Sequence, residues 1–480
     1  MATPCVRCGL SPTTERTTES NHGARDLLRH RLAQLDTLIA TLSAERARLQ
    51  AQSDSIVYPV LCLPPELTSL IFIHCIQSTG DLPHPSPIGA PLLLTQICRQ
   101  WREIAVNTPE LWQSIALVDT RSVEVFKTWL SRSGSLPLSF SLNCVDPIHA
   151  ASLIDACMPH AHRWQDVELA LPARVLKRLD CAAPLLMLRR ISLSLRGPFS
   201  REGAVDVHRI ASSAVLLRQA IVNTYPDLRF DLPWAKLTAL TLGRLDDADF
   251  FAIVKLCPDL VTLDITTTGG GALPDSDTAP LTLAALESFA FPSDFCSVLP
   301  FLLLPRLTHI NIRETVFLDA DHATALRALI RRSSAAIHRL TLQLKYPVSR
   351  TLERCLDAVP ASIRVLTLRC GNATKVAPLL AVLRNPDVLP ALKTLSIGGG
   401  RLFDDDYAEI PALLRERRLS GVLESFALLV ETYGRLDAAR DLPRIRAMPR
   451  FRALAAEGLR IRIAVAGKFR VGTEVLMDTL

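Results

Sequence analysis

Two cysteines near the start of the chain, Cys5 and Cys8, have a spacing that serves metal or redox chemistry in other proteins. A Cys-x-x-Cys pair supplies half of a tetrahedral zinc site, and as a redox motif it is typical of a strand–helix junction. Only His22 and His30 offer further ligands nearby, at unusual distances, and the surrounding sequence is a polar tail. We therefore expect no metal here, although a zinc site within one chain or shared between two chains stays open.

Other segments that resemble catalytic or cofactor-binding motifs lack the residues that those motifs need. The glycine triplets 269–271 and 398–400 lack the Lys and Ser/Thr of a phosphate-binding loop and match no dinucleotide fingerprint. The acidic residues 404–406 are adjacent, whereas the ligands of a cation loop are spread along the chain. A Gly-x-Ser-x-Gly nucleophile elbow is absent from the sequence. We expect no catalytic residues, no cofactor and no enzymatic activity.

The composition describes an aliphatic globular protein of about two to four domains. The 480 residues are 49% hydrophobic and 21% charged, but only 5% aromatic, so the core must be built largely from Leu and similar residues. The net charge of +6 is small for this length, and acidic residues such as Glu416 interrupt some of the short arginine runs. This pattern favours solvated surfaces over nucleic-acid binding.

The sequence contains no segment that predicts a membrane or secretory location. No stretch approaches the ~18 apolar residues of a membrane span, and the polar N-terminal residues do not resemble a signal peptide. The 12 cysteines have no framework spacing. We expect reduced thiols and a cytoplasmic or nuclear protein without membrane partners.

Residues 25–53 are predicted to form one long helix after a disordered tail over 1–24. The apolar residues of this segment recur at alternating spacings of four and three, which is the seam of a heptad repeat. The seam comprises Leu28, Leu32, Leu35, Ile39, Leu42 and Leu49, with Arg46 in the remaining position. Such a helix either pairs weakly with a second copy or folds back onto its own chain.

Residues 58–118 are predicted to form a small helical module with a Pro-rich loop over 78–91. Pro64 and Pro65 suit the start of its first helix, whose inner face we predict from helical spacing. That face comprises Leu67, Leu70, Ile71, His74 and Cys75, with Phe72 on a different face as a candidate hot spot. A module this small is marginal alone and needs a partner or the rest of the chain.

Residues 119–480 repeat the pattern Leu-x-x-Leu-x-Leu, and most successive copies start roughly 20 to 31 residues apart. Clear copies are Leu237-Leu240-Leu242, Leu260-Leu263-Ile265, Leu307-Ile310-Ile312 and Leu392-Leu395-Ile397, and looser copies begin at Trp164, Leu188, Leu286, Ile337, Ile363 and Leu423. Helical stretches such as 249–257 and 323–333 lie between copies. The pattern predicts an α/β fold, an irregular leucine-rich-repeat solenoid with a parallel sheet. A doubly wound α/β domain is the alternative.

The module over 58–118 resembles an F-box, and the whole chain resembles the fungal family in which a coiled helix, an F-box and leucine-rich repeats follow one another. The resemblance is carried by Leu63-Pro64-Pro65-Glu66-Leu67, Ile71-Phe72, Cys98-Arg99-Gln100-Trp101-Arg102, Ala105 and Thr108-Pro109-Glu110-Leu111-Trp112. It implies a substrate-recognition adaptor of a cullin–RING ubiquitin ligase that binds a Skp-type adaptor. Matched by position, the adaptor-binding motif is Leu63, Pro64, Leu67, Ile71, Phe72, Cys98, Trp101 and Trp112, of which Trp101 and Trp112 are the expected core members.

In the repeats, the residue between the last two apolar positions of each copy is predicted to lie on the face opposite the core. This row is predicted to bind the target protein, and it comprises Thr241, Asp264, Asn311, Thr341, Thr367 and Ser396. Its polar, mixed character suits a protein or peptide. The alternative function is a leucine-rich-repeat interaction scaffold that does not engage a ligase, and the alternative for the row is a merely solvated surface.

Overall fold

The structure is a computed structural model of the 480-residue chain. It describes residues 15–55, 59–77, 82–118, 123–176, 179, 185–196, 205–208, 214–223, 228–230, 232–243, 246–267, 279–313, 320–344, 349–371, 376–398, 404–419, 422–432, 449–467 and 473–478. Cys5, Cys8 and the glycines 269–271 lie outside these residues.

The chain divides into two compact units, Met1–Thr68 and Ser69–Leu480, and the boundary falls inside a helix. The first unit contains helix α1 (Glu15–Ser55), a 3-10 turn (Pro59–Cys62) and the start of α2 (Pro65–Gln77). Helix α1 confirms the predicted helix but begins earlier, so residues 15–24 of the predicted disordered tail are helical. Its described side chains over 22–53 are all exposed.

The second unit is an α/β solenoid-like domain around one long sheet. Its further helices are α3 (Leu94–Ile97), α4 (Arg99–Val106), α5 (Val123–Arg132), α6 (Pro147–Cys157), α7 (Ala173–Leu176), α8 (Asp247–Val254), α9 (Ala320–Ser333), α10 (Ser349–Ala358), α11 (Ala377–Arg384), α12 (Asp404–Leu419) and α13 (449–456). Within the described ranges, every helix is too short or too polar to cross a bilayer.

The strands follow one another along the chain between these helices. They are β1 (Ser114–Val118), β2 (Leu138–Asn143), β3 (Trp164–Leu171), β4 (Arg190–Leu195), β5 (Val205–His208), β6 (Gln219–Asn223), β7 (Leu228–Phe230), β8 (Ala239–Gly243), β9 (Thr262–Ile265), β10 (Leu281–Thr282), β11 (Ser288–Pro292), β12 (Leu302–Leu303), β13 (His309–Arg313), β14 (Arg339–Leu344), β15 (Val365–Cys370), β16 (Thr394–Gly398), β17 (Ser425–Thr432), β18 (Arg460–Gly467) and β19 (Thr473–Asp478).

The main sheet has 15 strands in the order β1-β2-β3-β4-β6-β8-β9-β11-β13-β14-β15-β16-β17-β18-β19. Neighbouring strands are parallel except for the last pair, β18 and β19, which is antiparallel. Two short parallel pairs, β5–β7 and β10–β12, stand apart from the main sheet. A sheet whose strand order follows chain order matches the predicted solenoid and not a doubly wound domain, in which the order reverses.

Every predicted repeat copy forms a strand of this sheet. The sheet also contains strands that the pattern did not predict, namely β1, β2, β6, β18 and β19. The pattern did not predict β6 because Ala220 replaces the middle Leu of its copy. It did not predict β1 because these residues lie inside the range assigned to the F-box. The repeat sheet therefore begins at Ser114, before the predicted boundary at 118.

In the second unit, the helices pack on one face of the sheet, and none of its described helices covers the other face. Alternate strand residues such as Leu240 and Leu242 are buried with helix residues such as Phe250 and Val254 in one continuous core. The residues between them, such as Thr241, point away from this core. We call the side away from the helices the open face.

The helical module over 69–112 belongs to the same core. The Trp112 and Trp129 rings meet edge to face with centroids 4.7 Å apart, and the Trp112 indole N–H donates to the Ala105 carbonyl at 2.8 Å. The Pro-rich loop runs along the first strand, because the Ala116 amide donates to the Pro83 carbonyl at 2.9 Å. The module thus gains from the rest of the chain the burial that a small core lacks.

Candidate functional site

Helix α2 turns an apolar face towards solvent. Leu70 is 52% exposed and Ile71 is 48% exposed. His74 and Cys75, one turn further along, are also exposed, as is Leu67 one turn before Ile71. This is the face that the sequence analysis placed inside the module, so that prediction is wrong.

Phe72 occupies the core instead of the surface. Its side chain is 1% exposed, and its ring meets the Trp101 ring edge to face at a centroid distance of 4.9 Å. Ile73 and Ile76 of the same helix also pack against this core. Phe72 and Ile71 do lie on different faces, as predicted, but Phe72 is the one that points inward, because its ring buries more apolar area than Ile71 would.

The remaining residues of the predicted adaptor motif divide between core and surface. Trp112 is buried, as predicted, and Trp101 is half-buried. Cys98 is half-buried and caps α4, because its sulfur accepts a hydrogen bond from the Trp101 amide at 3.4 Å. Leu63 is half-buried and Pro64 is exposed. The three aromatic residues therefore hold the module together, and the exposed aliphatic residues of α2 form the surface that is available for contact.

The six predicted target-binding residues lie in one row across the open face. Cα partners in adjacent strands run without a break through Thr241, Asp264, Ala290, Asn311, Thr341, Thr367 and Ser396. Thr341 is buried and the other five predicted residues are half-buried. The structure thus brings all six together, with Ala290 as a small residue between two polar ones.

A polar network occupies the middle of this row. The Arg313 guanidinium on β13 reaches across β11 and donates to Asp264 Oδ2 on β9. Beside it, the His309 ring joins Ser288 and Thr341 through hydrogen bonds of 3.2 and 3.1 Å. We call these five residues the central network. Sequence spacing alone did not find Arg313, Ser288 or His309, although each lies two residues from a row position in its strand.

Burial sets the electrostatics of the central network. Burial raises the pKa of the Asp264 carboxyl, and the Arg313 charge acts in the opposite direction. Burial also lowers the pKa of His309, helped by the nearby Arg339 charge. Asp264 Oδ1, Asn311 Oδ1 and Arg313 Nε are buried and have no hydrogen-bond partner among the residues that the structure describes. The centre of the open face therefore holds two unmet acceptors and one unmet donor, an unusual concentration for a protein interior.

The charge of the open face changes along the sheet. Near the N-terminal end, β3 presents the half-buried Asp166 and the exposed Glu168, and the exposed Arg190 of β4 lies beside Asp166. Towards the other end, exposed arginines occupy the open face of β14, β15 and β18, at Arg339, Arg369, Arg460 and Arg462. β16 and β17 separate the first two arginines from the last two, so the described strands carry no continuous basic stripe.

No family model matches the chain, and no characterised protein has a significantly similar sequence.

The described residues bring no three His, Cys, Asp or Glu side chains together in an arrangement that would hold a metal ion. Burial raises the pKa of Cys257 and Cys355 to about 12, so both thiols stay protonated and unreactive near neutral pH. These groups serve packing.

Proposed function

We propose that the chain is a substrate-recognition adaptor of a cullin–RING ubiquitin ligase, whose helical module binds a Skp-type adaptor and whose leucine-rich repeats bind a target protein. The F-box-like order of residues over 63–112 and the exposed apolar face of α2 support the first half of this proposal. The polar row in continuous register supports the second half. The exposed α2 face is the observation that carries the proposal, because a solvated row of Leu and Ile on one helix is typical of a docking surface.

The structure changes which residues of the motif should contact the adaptor. Leu67, Leu70 and Ile71 are exposed, whereas Phe72 and Trp112 are buried in the core. If Leu70 and Ile71 enter an apolar groove, burial of their remaining exposed area should contribute about 1 kcal/mol for each side chain. The buried aromatic residues act indirectly, by holding α2 in place.

The adaptor half is tested by co-purification of the full chain with a Skp-type adaptor. The double variant Leu70→Asp/Ile71→Asp should lose binding, because two carboxylates would have to enter an apolar interface. The matched control is Ile148→Asp, which changes an exposed apolar residue at the start of α6. Circular dichroism and melting should match in all three proteins.

Two outcomes decide between this proposal and its alternative. Binding by the wild type and the control, with loss in the double variant, supports the adaptor function. If the wild type does not bind any Skp-type adaptor, the chain is better described as a repeat scaffold that acts outside a ligase.

The target half is tested on two adjacent row residues outside the central network. Thr367→Arg/Ser396→Arg places two long side chains on β15 and β16, which are neighbours in register. Substitution of Asp264 is less suitable, because a new cation there would face Arg313 in a half-buried site. The matched control, Thr128→Arg/Ser152→Arg, makes the same residue changes at exposed positions of α5 and α6.

The measurement is quantitative affinity purification with mass spectrometry, comparing the three proteins. Proteins captured by the wild type and the control, but lost from the Thr367→Arg/Ser396→Arg variant, are the targets of the open face. Equal capture by all three proteins moves the binding site away from this row. The unmet donor and acceptors beside Asn311 favour a target segment that offers amide groups, since an amide supplies both a donor and an acceptor.

A further inference from the structure

Helix α1 carries an apolar seam that is exposed along its whole length. The six seam residues, Leu28, Leu32, Leu35, Ile39, Leu42 and Leu49, are between 42% and 64% exposed. At a rise of 1.5 Å per residue the seam runs for about 30 Å. Most of the helix is otherwise polar, and its exposed ion pairs, such as Arg29 with Asp26 at 3.3 Å, contribute little stability.

The seam has the register of a coiled coil. Leu28, Leu35, Leu42 and Leu49 take the d positions, and Arg25, Leu32, Ile39 and Arg46 take the a positions. A shallow depression in the surface of α1 is lined by Leu42, Glu45, Arg46 and Leu49, together with Gln50 and Ser53. The first four occupy successive d, g, a and d positions, which form the hole that receives one side chain of a facing helix.

We propose that α1 pairs with α1 of a second copy of this chain in an antiparallel coiled coil. In this register a positions face d positions, so Leu32 meets Leu42 and Leu35 meets Ile39 of the second copy. Arg46 meets Leu28 of the second copy, which enters the depression beside Glu45. Each seam arginine thus lies against a leucine, and its aliphatic stem covers that leucine while the guanidinium reaches water.

The residues that flank the seam favour this orientation over the parallel one. The antiparallel pair places Arg31 beside Glu45 and Leu38 beside Leu38 of the second copy, since both occupy g positions. The antiparallel pair also brings the two copies of Asp36 together at the e positions, and this single contact is repulsive. A parallel pair would stack Arg25 on Arg25 and Arg46 on Arg46 inside the seam, and it would leave the 53% exposed Leu38 opposite Ser43.

The antiparallel pair also determines where the two chains continue. The C-terminal ends of the two α1 helices, at Ser55, lie at opposite ends of the pair and about 50 Å apart along its axis.

Sedimentation equilibrium of the full chain over a range of concentrations tests the pairing. The wild type should form a dimer, and Leu35→Asp/Leu42→Asp should be a monomer throughout. The matched control is Leu27→Asp, because Leu27 is a 73% exposed apolar residue of the same helix but lies outside the seam. A monomeric wild type, or equal dissociation of the control and the seam variant, would overturn the proposal.

Charge exchange tests the orientation. Glu45→Arg should weaken the dimer by about tenfold, because two attractive contacts become repulsive. Arg31→Glu/Glu45→Arg should restore the wild-type affinity, whereas Arg31→Glu/Asp36→Arg should not. Rescue by the Asp36 combination instead would show a parallel pair, in which Arg31 lies beside Asp36, and would overturn the antiparallel arrangement.

Discussion

At the scale of single residues, α2 shows what helical spacing decides and what it leaves open. The spacing of apolar residues defines two possible inner faces, one with Leu67 and Ile71 and one with Phe72 and Ile76. Spacing alone does not choose between them. The choice follows from a tertiary contact, the edge-to-face packing of Phe72 on Trp101, and a single sequence does not reveal which side chains meet across helices.

The stabilities of variants at neighbouring positions should show this assignment directly. Phe72→Ala should lower the free energy of unfolding by about 3–5 kcal/mol, because it leaves a cavity in the core. Ile71→Ala should change it by less than about 0.5 kcal/mol, because the side chain is half in water. Urea denaturation of both variants checks the order, and a larger effect at Ile71 would contradict the assigned faces.

The Asp264–Arg313 pair should give the open face a pH-dependent stability. Because burial raises the pKa of Asp264 in the folded state, the unfolded chain loses this proton first and stability falls as pH rises from the ordinary aspartate range to the raised pKa. Arg313→Met removes the opposing charge, so the pKa should rise further and the fall should extend to higher pH. The melting temperature of the variant relative to wild type should therefore decrease as the pH rises above the ordinary aspartate range. A difference that does not change with pH would contradict the ion pair.

At the scale of elements, arginines at helix ends connect successive repeats. Arg417 near the end of α12 is buried and donates to the Leu383 carbonyl at 2.6 Å and to the Asn385 carbonyl at 3.0 Å. Arg332 of α9 donates to the Leu299 and Leu302 carbonyls in the same manner. In each case the guanidinium donates charge-assisted hydrogen bonds to carbonyl groups of the preceding repeat. Sequence alone predicts that such arginines are solvated, because their carbonyl partners lie about 30 residues away in the chain.

Removing one of these arginines should loosen two repeats at once. Arg417→Met should destabilise the region by about 2–4 kcal/mol, because it removes the charge-assisted hydrogen bonds from a buried guanidinium to the Leu383 and Asn385 carbonyls. Hydrogen exchange should become faster in both α11 and α12. Arg415→Met is the matched control, since Arg415 is exposed on the same helix. Protection that is unchanged in α11 would show that the contact contributes no stability.

At the scale of the whole molecule, the repeat pattern predicted the architecture because the apolar positions of each copy indicate which side chains of that strand are buried. Apolar residues at fixed offsets bury one face of every strand. Because each repeat stacks on the one before it, the order of the strands in the sheet follows their order in the chain. The row on the open face follows from the same periodicity, which is why its six residues were predictable. The division of the chain was less predictable, since a short apolar segment such as Ile115 to Leu117 fits equally well at the end of a helical module or at the start of a sheet.

The helical module and the first repeat should consequently fold as one body. A cut at the predicted boundary, before residue 119, removes β1 and the Trp112 ring that packs on Trp129. It also exposes β2 as a new edge strand, and open edges promote association between chains. We expect residues 119–480 to bind a hydrophobic dye, to melt at a lower temperature than residues 58–480 and to aggregate as concentration rises. Light scattering and melting of the two fragments check this, and a monomeric 119–480 fragment of equal stability would show that the repeats do not depend on the module.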